Sequence, residues 1–191
     1  MYFFIKRLGD IILSLGGIIS LSPVLLLFLV LIKIDSKGPV LFCQKRVGIN
    51  KGHFMIYKFR TMKTDTPKDM PTHMLKDPDR HITRMGRFLR RTSLDELPQL
   101  VNILKGDMSV IGPRPALWNQ YDLLEERDKY GANSIRPGLS GWAQINGRDE
   151  LPIPVKAKLD GEYVEKMGFL FDCRIFFMTL TAAAAGKGMT G

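Results

Sequence analysis

The sequence predicts an α+β chain, mainly helical, with an N-terminal re-entrant membrane helix hairpin, interfacial amphipathic helices and a small β-hairpin. Three observations carry that expectation. Ile11 to Ile32 contains no charged residue, and about 20 apolar residues match a bilayer core. Two short segments near residue 50 alternate as strands do. Most of the remaining chain has helical spacing between glycine and proline punctuation. At 191 residues, with no internal repeat and no low-complexity linker, the chain reads as a single domain over 1–191. Residues 6–34 form its membrane part and 35–185 its surface-associated part.

The apolar segment is longer than the roughly 7–15 residues of a signal-peptide core, and no small-x-small cleavage site follows it. Ser22 and Pro23 fall in its middle, where proline removes a backbone hydrogen bond. Lys6 and Arg7 precede it, and Lys33 and Lys37 follow it. Basic residues on both flanks favour keeping both ends cytoplasmic. Half of the segment reaches only about halfway through a ~30 Å core. A helix-break-helix at Ser22-Pro23 satisfies all of this, with the Ser22 or Ser20 hydroxyl covering freed backbone groups. A kinked spanning helix is the competing reading.

Asp35 to Pro39 is a turn, and Val40–Arg46 and His53–Arg60 read as a β-hairpin. Lys63 to Arg80 is polar, holds three prolines and reads as a surface loop. Ile82 to Arg91 forms a basic amphipathic helix suited to anionic headgroups or to plain solvent. Leu94 to Lys105 reads as one helix ended by Gly106, its first turn disturbed by Pro98. Asp107 to Pro115 reads as a loop and Ala116 to Tyr130 as a charged helix. Arg136 to Gly141 reads as a turn, Trp142 to Asn146 as strand-like, and Val155 to Met167 as an amphipathic helix. Phe169 to Ala185 is apolar but carries Asp172 and Arg174, so it reads as an interfacial or packed helix that could also pair with another copy.

The formal charge of +9 implies an anionic partner: a membrane surface, a nucleic acid or a phosphorylated substrate. No helix-turn-helix pattern, RNP motif or zinc-knuckle spacing supports nucleic acid. Cys43 and Cys173 lie far apart and read as free thiols. His53, His73 and His81 are scattered, which argues against a zinc site.

The adjacent pair Asp95-Glu96, flanked by Arg91 and other arginines, suggests phosphate chemistry. Arginines can hold a polyanion while a carboxylate attacks it or carries a metal. A capping box explains the same residues, through Ser93-x-x-Glu96 or Thr92-x-x-Asp95. On either reading, a helix start and nearby arginines would lower the Asp95 pKa and keep it ionised. Lys58 and Arg60 are two apart on a strand and share a face, fit for a diphosphate, an acidic neighbour or solvent. Arg114 between Pro113 and Pro115, Arg136 before Pro137-Gly138 and Arg148 after Gly147 are placed on stiff turns.

Several runs of residues, in order, resemble the monotopic phosphoglycosyl transferases, or bacterial sugar transferases, in their minimal catalytic form. They are Ser22-Pro23 in the apolar segment, Tyr57-Lys58-Phe59-Arg60-Thr61-Met62, Thr92 through Leu100, and Leu104-Lys105-Gly106-Asp107-Met108-Ser109. Gly112-Pro113-Arg114-Pro115, Arg136-Pro137-Gly138, Gly141-Trp142-Ala143-Gln144 and Gly147-Arg148 complete them. The resemblance covers about Lys6 to Leu180. It implies transfer of a sugar-1-phosphate from a UDP-sugar to polyprenyl phosphate, releasing UMP, on the cytoplasmic face of the bacterial inner membrane. It implies that Asp95 is the nucleophile, that Glu96 assists in metal binding or positioning, and that Mg²⁺ is used. Lys58, Arg60, Arg91, Arg114, Arg136 and Arg148 become candidate phosphate contacts, and membrane lipid a partner. A non-catalytic adaptor that binds anionic lipid is the competing function. It explains the charge and the hairpin but not rigid arginines around an acidic pair.

Overall fold

The computed structural model describes residues 2–67, 77–147 and 151–184. Helix α1, Tyr2–Asp35, is one helical run with Pro23 inside it, where two half-helices were expected. Pro23 has no N–H to offer the Ile19 carbonyl four residues back. The Ser22 hydroxyl donates to that carbonyl instead at 2.8 Å, so the freed acceptor is satisfied within the helix.

Its two ends are docked on the same body. At the N-terminal end the Arg7 guanidinium donates to the carbonyls of Ile103 (2.6 Å) and Leu104 (2.8 Å). Buried Asp10 accepts from Val110 N (2.9 Å) and Ser109 Oγ (3.0 Å). At the C-terminal end Phe28 and Ile32 pack with Phe59 and Leu89. The Asp35 carboxylate there accepts from Met85 N at 3.0 Å. The buried positions of α1 are Asp10, Ser14, Phe28 and Ile32. None lies between Leu15 and Leu27, where Leu15, Ile19, Leu26 and Leu27 are exposed. Lys6 and Arg7, read from sequence as flanking charges, are packing residues as well.

Strands β1 (Leu41–Val47) and β2 (His53–Phe59) form the expected antiparallel hairpin, with Gln44 opposite Ile56. Buried Asn102 stitches β2 to the helix beneath it. Its Oδ1 accepts from Tyr57 N (3.0 Å) and its Nδ2 donates to Met55 O (2.8 Å). A short helix α2, Pro78–His81, ends the segment read as a loop; residues 68–76 of that loop lie outside the described ones. Helix α3, Arg84–Arg91, is the basic amphipathic helix, capped by Thr83, whose Oγ1 accepts from Gly86 N.

Leu94 to Lys105 is not one helix. A 3₁₀ turn, Leu94–Glu96, precedes α4, Gln99–Lys105, with Pro98 at the start of α4, where its missing N–H breaks no helical bond. Gly106 ends α4 with φ 95°, a left-handed conformation that suits glycine. Two segments read as loop and turn contain strands: β3 (Ser109–Ile111) pairs in parallel with β4 (Gly138–Ser140). A Cβ on Gly138 would stand 2.1 Å from Gly112 N, so this approach requires glycine. Helix α5 covers only Tyr121–Asp128. Ala116 and Leu117 are drawn away to β1, with Val47 N donating to Ala116 O at 3.0 Å. Trp142–Ile145 is a short helix, α6, rather than a strand. Helices α7 (Ile153–Lys166) and α8 (Phe169–Ala184) close the fold around Tyr163 and Ile175.

A buried pair locks α5 to α7: Arg127 and Asp160 meet at 2.6 Å with 5% and 1% side-chain exposure. Asp160→Ala strands Arg127 without its counter-charge. We expect a loss of about 3–5 kcal/mol, read as a lowered thermal transition of the solubilised protein.

Candidate active site

The acidic pair is presented by the 3₁₀ turn. In such a turn residues three apart lie on one side. Leu94 and Leu97 both pack toward the Phe28 and Ile32 cluster under α1, which leaves Asp95 and Glu96 on other sides. No capping box forms. Ser93 is left-handed (φ 56°) and its side chain caps nothing. The Thr92 hydroxyl bonds back to Phe88 O at 2.9 Å, at the end of α3.

Glu96 Oε1 accepts from Lys58 Nζ at 2.7 Å and from Arg114 Nη2 at 3.1 Å. Lys58 comes from β2 and Arg114 from the Pro113-Arg114-Pro115 loop after β3. That loop is held by its carbonyls. Pro113 O accepts from Gly138 N (2.8 Å), Arg114 O from Arg127 Nη2 (3.0 Å) and Pro115 O from Arg46 Nη1 (3.0 Å). Proline rigidity was legible in the sequence; this fastening was not.

Asp95 is half-buried and makes no side-chain hydrogen bond or ion pair with the described residues. Burial pushes its pKa above the ordinary aspartate value, although the charges of Lys58, Arg90 and Arg114 pull the other way. The expectation of a lowered pKa is therefore corrected. A single 3₁₀ turn has little dipole to offer, and desolvation outweighs the cations. Glu96 is the opposite case. Burial raises it too, but Lys58 and Arg114 more than compensate and hold it well below the usual range.

Of the six predicted cationic contacts, the structure brings Lys58 and Arg114 to the pair. Arg60 is 5% exposed and caps the end of α1, donating to Ser36 O (2.7 Å) and Lys37 O (2.8 Å). Its guanidinium is taken up by the turn after α1, while Lys58 goes to Glu96. Arg91 is exposed at the end of α3. Arg136 Nε donates to Gly106 O (2.9 Å) at the far end of α4, beside a pocket lined by Lys6, Arg7 and Asp10. Arg148 lies outside the described residues. The cation missed from sequence is Arg90. Its Nε donates to Thr61 Oγ1 at 3.0 Å and its charge acts on Asp95. Helical spacing could have found it: with Met85 and Leu89 turned inward, Arg90 is the arginine at the edge of the packed face.

Among the described residues no group of three His, Cys, Asp or Glu side chains is assembled. Mg²⁺ is commonly held by one or two carboxylates together with substrate phosphates. The donor set fits that mode, with Asp95 uncommitted and Glu96 engaged through one oxygen.

Residues 1–186 match the family described as bacterial sugar transferase. The chain belongs to the bacterial sugar transferase family. Membership makes it a transferase and sets aside the adaptor reading. An undecaprenyl-phosphate glucose phosphotransferase of Komagataeibacter xylinus is 41% identical over 185 residues, 92% of this chain and 35% of that protein. The exopolysaccharide production protein PSS of Rhizobium leguminosarum bv. phaseoli is 42% identical over 195 residues, covering 96% of this chain and 98% of the relative. A UDP-N-acetylgalactosamine-undecaprenyl-phosphate N-acetylgalactosaminephosphotransferase of Aeromonas hydrophila is 38% identical over 193 residues, 98% of this chain and 45% of its own length. This sugar transferase thus spans less than half of two of these relatives and nearly all of the third.

The two carboxylates predict opposite effects on stability. Glu96, with its lowered pKa, stabilises the fold above the ordinary glutamate range, and that contribution is lost as pH falls through the lowered value. Asp95, with its raised pKa, lowers stability as pH climbs from the ordinary aspartate value through the raised one. At pH 7, Glu96→Gln should cost about 2 kcal/mol by removing the anion that Lys58 and Arg114 share. Asp95→Asn should gain roughly 0.5–2 kcal/mol. Thermal melting of both variants checks the signs.

Proposed function

We propose that this sugar transferase moves a sugar-1-phosphate from a UDP-sugar to a polyprenyl phosphate through a covalent intermediate on Asp95. The observation that carries this is the contrast within the pair. Glu96 absorbs Lys58 and Arg114, while Asp95 stands among three cations with no bond of its own to the described residues. A half-buried carboxylate without hydrogen bonds is under-solvated, and an under-solvated anion is a stronger nucleophile.

In the first step an Asp95 oxygen attacks the sugar-bearing phosphorus. The bond from that phosphorus to the bridging oxygen breaks, and UMP leaves with the electron pair. In the second step a phosphate oxygen of the lipid attacks the same phosphorus, and the bond to Asp95 breaks. The lipid diphospho-sugar departs and Asp95 is a carboxylate again. Lys58, Arg90 and Arg114 hold the phosphate oxygens in place, and Glu96 fixes two of those cations. Mg²⁺ held by Asp95, Glu96 and the substrate phosphates would supply charge neutralisation of the diphosphate. The names of the Komagataeibacter and Aeromonas relatives, which pair undecaprenyl phosphate with a sugar, support the substrate classes. Polysaccharide synthesis is supported by the Rhizobium relative.

The same proposal includes a re-entrant α1 at the cytoplasmic face of the membrane. Both ends of α1 dock on one body while its exposed apolar middle surrounds Ser22-Pro23. A body that carries both ends lies on one side of a bilayer. The apolar middle would then dip among lipid tails and hold the site where a lipid phosphate sits, without drawing its tail into water.

Asp95→Asn should lower UMP release by on the order of 10⁴-fold or more. Wild-type protein quenched with donor labelled in the sugar should retain label that the variant lacks. UMP release at the wild-type rate in Asp95→Asn would overturn the nucleophile. Because the ionised form attacks, the acid limb of kcat/KM should rise with pH through an apparent pKa above the ordinary aspartate value.

A further inference from the structure

Lys6, on α1, and Asp172, on the first turn of α8, meet at 2.5 Å with 12% and 15% side-chain exposure. Two phenols complete the cluster. Tyr2 OH donates to Asp172 Oδ2 at 2.6 Å, and Tyr163 OH to Asp172 Oδ1 at 2.8 Å. Lys6 also donates to Tyr163 OH at 3.2 Å. Burial, with the charge of Asp172, pushes the Tyr163 phenol far above its usual range, so it stays a donor. This polar knot lies within an apolar surface: Phe3 and Phe4 of α1 and Phe169 and Leu170 of α8 are all exposed. The proposed reaction does not use it.

Helix α1 itself does not forbid a crossing. Its 34 residues, at about 1.5 Å each, exceed a ~30 Å hydrocarbon core. Its proline is locally satisfied by Ser22. The C-terminal end is held to the body by Asp35 and Arg60. At the other end Arg7 and Asp10 also bond to the body, and the ion pair there between α1 and a second helix, among the described residues, is Lys6 with Asp172. We propose that Asp172 is a positioning residue that tethers the N-terminus of α1 and so holds the helix re-entrant. The inference rests on the re-entrant placement proposed for α1.

Charge alone and tether make opposite predictions for one substitution. Asp172→Asn leaves Lys6 uncancelled, which strengthens retention of the N-terminus by the positive-inside tendency but breaks the tether. The test uses Phe3→Cys in a background of Cys43→Ser and Cys173→Ser, probed on intact cells with a membrane-impermeant maleimide and again after permeabilisation. With Asp172 present, the position-3 thiol should label only after permeabilisation. In Asp172→Asn, labelling from outside should rise by at least about tenfold, because the variant loses the charge-assisted bonds that this part-buried carboxylate makes to Lys6 and the two phenols. The reversed pair, Lys6→Asp with Asp172→Lys, should restore protection although it places a negative charge at the N-terminus. Equal protection in Asp172→Asn, or outside labelling in the reversed pair, overturns the tether. Outside labelling with Asp172 intact overturns the re-entrant reading itself.

Discussion

Glu96 accepts from both Lys58 and Arg114 through a single oxygen, and this shared acceptor joins three segments distant in sequence: β2, the 3₁₀ turn and the loop after β3. Each is separately braced. Asn102 secures β2, Leu94 and Leu97 press the turn onto α1, and Arg127, itself locked by Asp160, grips the loop through Arg114 O. The consequence for chemistry is a division between neighbours. One carboxylate is saturated with positive charge and stays ionised. The other feels the same cations at a greater distance, without a bond, and keeps its oxygens available. Swapping the order of the two residues would exchange these environments, because the turn presents successive side chains in different directions.

On the proposed function, the local wiring also gives one site access to a water-soluble donor and a membrane-bound acceptor. The turn that carries Asp95 rests on Phe28 and Ile32 of α1, so in the proposed re-entrant placement the depth of α1 would fix the height of the carboxylate above the lipid. An error of an ångström there is expensive for a reaction that depends on alignment. The fastenings along α1 are accordingly polar and directional near its ends, at Arg7, Asp10, Asp35 and Ser36, and apolar under the turn, at Phe28 and Ile32. A helix held by dispersion alone could slide; one held by carbonyl and carboxylate bonds at fixed positions is set in register.

Much of this was legible in residue order because it is local. Alternation located the β-hairpin, helical spacing located α3, α7 and α8, and Gly106 marked the end of α4. Proline in an apolar run with two basic flanks singled out Ser22-Pro23. Pairings between distant segments were not legible. The three-residue strands β3 and β4 have no pattern of their own and exist because Gly138 lets their backbones meet. Ala116 to Gln120 has helical composition but is drawn to β1. The site shows the same limit. Residue order and the family resemblance singled out Asp95, Glu96, Lys58 and Arg114 as candidates, whereas only packing shows that Arg60 bonds to the turn after α1 and that the charge of Arg90 acts on Asp95.

The raised pKa of Asp95 has a further consequence for how the site is ordered. Burial, together with the neighbouring Glu96 charge, favours protonated Asp95 over the anion that Lys58, Arg90 and Arg114 would support. On the proposed function, the attacking Asp95 anion gives up no side-chain bond to the described residues. Lys58 and Arg114 can keep their bonds to Glu96 while a phosphate approaches. Glu96 is the weaker nucleophile of the two, since two charge-assisted bonds at one oxygen draw electron density from the whole carboxylate. The preference for the first carboxylate of the pair thus follows from which of them is already bonded.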